Sequence, residues 1–261
     1  MKFLNGNPKQ EQLAAFRLLF WNIRIPSYQV SMKEVSSLLQ RMNERVNGWK
    51  GVGDQRHVFL GCYALMSQAM HEAIDKGQFA NANWVSSLLL RFSEYYFDAL
   101  DCYDRDPERS PLVWRQVHDA CLRSEINVTQ HLLLGVNAHI NYDLPLALYD
   151  CLREGWAQLP EKEKELLRAD HEWVNEIIAR TVDTVQESIV NPSSWSMEAL
   201  DVLMGRLDEW LLSKLISSWR NDVWQVNLQL LESSSEEQRK RIQQEQEALV
   251  VKRAHQVIRY L

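Results

Sequence analysis

Leu132-Leu-Leu-Gly135-Val-Asn137-Ala-His139-Ile-Asn141-Tyr-Asp143-Leu-Pro145 is the stretch on which the fold turns. An α-helix advances about 100° per residue, so spacing converts directly into direction. With Asn137 at 0°, Leu133, Ile140, Val136 and Leu132 fall at about −40°, −60°, −100° and −140°. One apolar face results, and the segment is predicted helical. His139 and Asp143 fall at about −160° and −120°, beside or within that face, so both should be at least partly buried. Asn137 and Asn141 lie on the other margin, at about 0° and 40°. A buried imidazole and a buried carboxylate each need a partner, since leaving either alone costs several kcal/mol.

The same period runs outward in both directions. Ser31-Met-Lys-Glu34 reads as a capping box, and Val35, Leu38, Leu39, Met42 and Val46 follow before Gly48. Asp54 opens a helix whose stripe includes Val58, Phe59, Tyr63, Met66 and Met70, and Gly77 closes it. Asn83 opens the next, with Trp84, Leu88, Phe92, Tyr95 and Ala99 on one side. Ser110-Pro111 starts another, with proline at a position whose N–H is not needed. Pro145 is expected to break the His139 helix, and Pro160 to start a long one reaching about Ile189. Two or three further helices fill Met197 to Leu231. The pattern predicts an all-α, single multi-helix domain over residues 1–232, with about nine to eleven helices around one partly polar central helix. Residues 233–261 form a separate charged helix, in which Glu236/Lys240 and Glu237/Arg241 pairs predict a solvated face.

Composition excludes whole classes. The 261 residues are 46% hydrophobic and 25% charged, which is ordinary for a globular protein and rules out disorder of the whole. Only 9 Gly and 7 Pro disfavour a turn-rich β-sandwich. A formal net charge of −6 gives no basic footprint for nucleic acid. No apolar run is long enough to span a bilayer and no leader is visible at Met1–Gln10, so a cytoplasmic location is expected. The 4 cysteines are scattered without a C-x-x-C pair, so neither a disulfide framework nor a zinc ribbon is expected. The 10 tryptophans are spread over many helices, as packing residues usually are. Motifs for P-loop, Rossmann, zincin and α/β-hydrolase chemistry are missing, as is any Glu-x-x-His for a di-iron site.

His139 and Asp143 are thus the chemistry-bearing pair. Two roles are open: general acid/base work on a small organic molecule, or joint ligation of a divalent metal ion. Asn137, Asn141, Asp98 and Arg91 are the nominated substrate-binding residues, the last two seven residues apart on one helix edge. The rival is a binding or scaffold protein in which the His–Asp pair is structural. His71 and Asp75 share the spacing but point away from their apolar stripe, so they are expected to face solvent.

Several segments together resemble a helical family, domain of unknown function family 5995. They are Gly77-Gln-Phe79, Trp84, Phe92-Ser-Glu-Tyr-Tyr96, Ala99-Leu100, Trp114, the Leu132–Pro145 stretch, and Trp219-Arg220 with Trp224. The resemblance spans roughly residues 50–230 and implies an all-α fold, without an activity to carry over. The His-x-x-x-Asp spacing is also similar to metal-binding helices of the zinc-dependent phospholipase C and P1 nuclease group. This chain departs from that group in having only 7 His and no visible leader.

Overall fold

The computed structural model describes residues 32–188 and 209–260, and these are all-α, with no strand. In chain order the α-helices are α1 (Met32–Val52), α2 (Arg56–Asp75), α3 (Ala82–Arg105), α4 (Leu112–Ala120), α5 (Val128–Ala138), α6 (Leu144–Leu152), α7 (Glu161–Ser188), α8 (Glu209–Glu232) and α9 (Glu236–Tyr260). Short 3₁₀ turns occupy Pro107–Arg109 and Trp156–Gln158. None of the described helices is long and apolar enough to cross a membrane.

The Ser31 end of the first capping box lies outside the described residues, as do Met197 and the residues up to 208. Gly48 does not stop α1, which runs on to Gly53, a residue at φ 73 that needs no Cβ clearance. Asp54 works as expected, its carboxylate accepting from the Arg56 N–H at 3.0 Å. Asn81 rather than Asn83 caps α3, accepting from the Trp84 N–H. Asn127 and Gln130 form a reciprocal box at the start of α5.

Pro145 was expected to break its helix, and it does not. His139–Asp143 form a π turn joining α5 to α6, with the Leu144 N–H reaching back to His139 O. Proline supplies no N–H for the carbonyl four residues earlier and its ring crowds that carbonyl. Widening the turn by one residue relieves the clash and lets the rod continue to Leu152. Counting Val128–Leu152 as one rod, the described residues form eight helices, fewer than the nine to eleven expected.

That rod packs against α2, α3, α4, α8 and α9. At Gly135 the approach of α2 is so close that a Cβ would collide with the Phe59 ring. Along another side runs α9, which is not a solvated appendage. Val250 and Ala254 are buried, and three side-chain amides tie it to the rod. Gln130 Nε2 donates to Val257 O at 3.1 Å, Asn137 Nδ2 to Val250 O at 3.0 Å, and Gln246 Nε2 to Asn141 O at 2.7 Å. The last acceptor is the carbonyl that Pro145 leaves without an α-helical donor. Counting apolar anchors in the sequence underrates α9 because amides make up much of its attachment.

Two outcomes follow. Gly135→Ala should lower stability by about 1–3 kcal/mol, since overpacking against Phe59 outweighs the better helix propensity of alanine. A stabilised variant in urea unfolding would refute the close contact. Gln246→Met, matched in size but without the amide, should cost about 1–3 kcal/mol by leaving Asn141 O unsatisfied; an unchanged unfolding midpoint would show that this bond carries nothing.

Candidate functional site

The π turn sets His139 and Asp143 almost one above the other. Imidazole Nδ1 lies 2.9 Å from Asp143 Oδ2, and both side chains are buried. Trp114 of α4 donates its indole N–H across both carboxylate oxygens, at 3.0 and 3.1 Å. With Asp143 ionised, both bonds run into its carboxylate, which places the imidazole proton on Nδ1 and leaves Nε2 as the acceptor. Burial pushes the Asp143 carboxyl well above its ordinary range, and the Trp114 bond pulls it back. Burial also holds His139 well below its usual value, so the ring is neutral at pH 7.

An aromatic shell fixes the ring plane. Phe92 stacks on it with centroids 3.5 Å apart and planes within 9°. Tyr63 meets it edge-on at 4.2 Å, with Phe59 at 5.7 Å. Among the described residues Nε2 has no hydrogen-bond partner. It belongs to the wall of an apolar cavity of about 140 Å³ enclosed by α2, α3, the rod, α7 and α8. The Trp84 indole N–H, in the same wall, also lacks a partner. The adjoining hydroxyls of Tyr63 and Ser67 complete the polar groups on the α2 side. Cys62 lines it too, but burial pushes its thiol up to about 11, so it offers no thiolate at neutral pH.

The facing wall is cationic. Arg220 of α8 is buried, its Nε donating to Asn175 Oδ1 at 2.8 Å and its Nη2 to His171 O at 2.8 Å. His171 Nε2 faces Arg220 O at 3.1 Å, so Nδ1 is the ring acceptor. Desolvation pushes the guanidinium down to about 9.

Of the residues nominated from sequence, the structure brings together only His139 and Asp143. Asn137 and Asn141 bond to each other at 3.2 Å and sit against α9, outside the cavity wall. Arg91 is drawn to Asp150, which accepts from its Nη2 at 2.7 Å and from the Tyr95 hydroxyl at 2.8 Å. Asp98 is exposed and stands apart. His71 differs from expectation: its side chain is only 14% exposed, while Asp75 faces solvent. Among the described residues no group of three or more His, Cys, Asp or Glu is placed to hold a metal ion. His139 and Asp143 are bonded to one another, and they belong to no such group among the described residues.

Trp114, Arg220 and His171 escaped the sequence analysis as site residues. A signal existed for two of them. Ile216, Arg220, Val223, Asn227 and Leu230 keep core spacing, as do Leu167, His171, Val174 and Ile178, so each stripe carries a polar residue inward.

His118, stacked on Trp114, is held down to about 3 by burial. Its folded value lies below its unfolded one, so its contribution is present above about pH 6.5 and is lost as pH falls. Below that pH the unfolded chain carries one more proton, a slope of about 1.4 kcal/mol per pH unit. His118→Phe should make the pH dependence of stability shallower by about 1.4 kcal/mol per pH unit between pH 6 and 5 in stepwise urea unfolding; an unchanged slope would place the group elsewhere.

Comparison with curated proteins and with solved structures gave no match. A family profile, described as a family of unknown function (DUF5995), matches residues 35–260, a span that holds the π turn, the Trp114–Asp143–His139 chain and Arg220. The chain belongs to the DUF5995 family.

Proposed function

We propose that the protein is an enzyme of proton transfer, acting on a small, largely apolar organic molecule held in the 140 Å³ cavity. His139 is its general base. The observation that carries this reading is the asymmetry of one imidazole. Nδ1 is locked by Asp143, itself held by Trp114, while Nε2 is an unpartnered acceptor in a cavity wall. Buried polar groups are nearly always satisfied in folded proteins, so a lone acceptor in a cavity wall calls for a donor from outside the chain. Orientation by a carboxylate on the far nitrogen is the arrangement a histidine base requires, because it fixes the tautomer and stabilises the imidazolium formed. The surrounding apolar wall keeps Nε2 from water and keeps the base neutral until a substrate proton arrives.

A second reading has its own support. The 3.5 Å stack of Phe92 on His139 and the burial of the whole pair are what a purely structural His–Asp lock would also use, in a non-catalytic binding or scaffold protein.

Incubation with a mixture of small organic acids, ketones and esters in D₂O separates the two. Mass spectrometry should find deuterium entering a carbon-bound position, or a chemical change, in at least one compound. His139→Gln should reduce that rate by about 100-fold or more, the usual share of a general base. Absence of any exchange or turnover, with His139→Gln merely less stable, would assign the pair to structure.

A further inference from the structure

Arg220 is a buried cation without a counter-ion among the described residues. Its fixed contacts, Asn175 Oδ1, His171 O and, at 3.3 Å, His171 Nδ1, are neutral dipoles. They hold the guanidinium plane and do not cancel its charge. Among the described residues Nη1 has no partner, although the side chain belongs to the wall of the apolar cavity. Removing a charge from water without pairing it costs several kcal/mol. A fold that keeps such a group beside an empty volume has room for an anion there.

A second donor-only group in the cavity wall points to the same chemistry. Trp84 Nε1 can only donate, and so can every nitrogen of a guanidinium. Both therefore call for oxygen acceptors. Beyond the Tyr63 and Ser67 hydroxyls, the Cys62 thiol and the His139 and His171 rings, the rest of the wall is hydrocarbon and thioether, with Met66, Met70, Val85, Leu88, Leu89 and Val174 among it. Size narrows the class further. An engineered cavity of about 150 Å³ takes up benzene, so about 140 Å³ suits a ring or a chain of some six to eight carbons.

We propose that the cavity binds a small apolar monocarboxylate, its carboxylate on Arg220 and its hydrocarbon part running toward His139. This rests on the cavity being a ligand site, and it names the ligand's class. A planar guanidinium presenting two N–H groups suits a carboxylate better than an ammonium would, because the pairing is bidentate.

Calorimetric titration with benzoate and with benzamide, its uncharged counterpart of the same shape, tests the assignment. The parent protein should bind benzoate at least 10-fold more tightly than benzamide. Arg220→Met should abolish that preference, and the ligand-free variant should melt higher because the uncompensated charge is gone. Should Arg220→Met fail to fold, benzoate labelled with ¹³C at the carboxyl group can be followed in the parent. Its bound resonance should stay that of the ionised form below the pH at which free benzoate protonates. Equal binding of benzoate and benzamide, a preference that survives in Arg220→Met, or a bound carboxyl that titrates like the free acid would overturn the carboxylate assignment while leaving a cavity that binds. Failure of both probes and of cyclohexanecarboxylate would remove the cavity reading as well.

Discussion

One missing N–H organises the centre of this structure. Pro145 stands where a helix must continue, and it can neither donate to Asn141 O nor tolerate that carbonyl in its α-helical place. The π turn over His139–Asp143 absorbs the conflict. It stacks the imidazole over the carboxylate, and it leaves a carbonyl that Gln246 of α9 satisfies from outside the rod. The His139–Asp143 pair and the docking of the last helix both meet at this backbone fault. π turns often mark functional sites for this reason: the local cost is tolerated where the altered side-chain phase is useful.

Charge is distributed around the cavity with an economy that fits a site more readily than a core. Asp143 is bonded on both oxygens and His139 on one nitrogen, so the pair behaves as a single unit that holds or releases one proton. Arg220, in the same cavity wall, is held among the described residues by neutral groups only. Nothing in the helical packing demands either arrangement. Leu or Met at position 220 would fill the stripe between Ile216 and Val223 without any desolvation penalty.

The fold was legible because its signal is repetitive: apolar residues at 3.6-residue spacing recur from Val35 to Leu230, and each stripe votes independently for a helix. The burial of His139 and Asp143 followed from the same geometry, since about 100° per residue put both beside the apolar face. That geometry fails where a helix has more than one neighbour. Asn137 and Asn141, on the opposite margin, are just as buried, because α9 covers that side. It fails again where position is set by contacts distant in sequence. Arg91 meets Asp150 across 59 residues, and no local pattern announces it. Arg220 was hidden for a simpler reason: a lone arginine in an amphipathic helix is ordinarily on the outside, and only its register with Ile216 and Val223 says otherwise.

The bonds that join α9 to the rod also impose an order in time. Gln246 lies 105 residues beyond the carbonyl it satisfies, and Val250 lies 113 beyond Asn137. At about 5–20 residues per second, a ribosome takes on the order of 5–20 s to deliver that helix after the rod has emerged. Through that interval the rod lacks its amide partners, and α7 and α8, which supply His171 and Arg220, are themselves still arriving. The attachment of α9 to the rod is thus completed late, by long loop closures that slow folding. A nascent chain stalled before α9 would expose an apolar, imperfectly bonded rod, the kind of surface on which chaperones act.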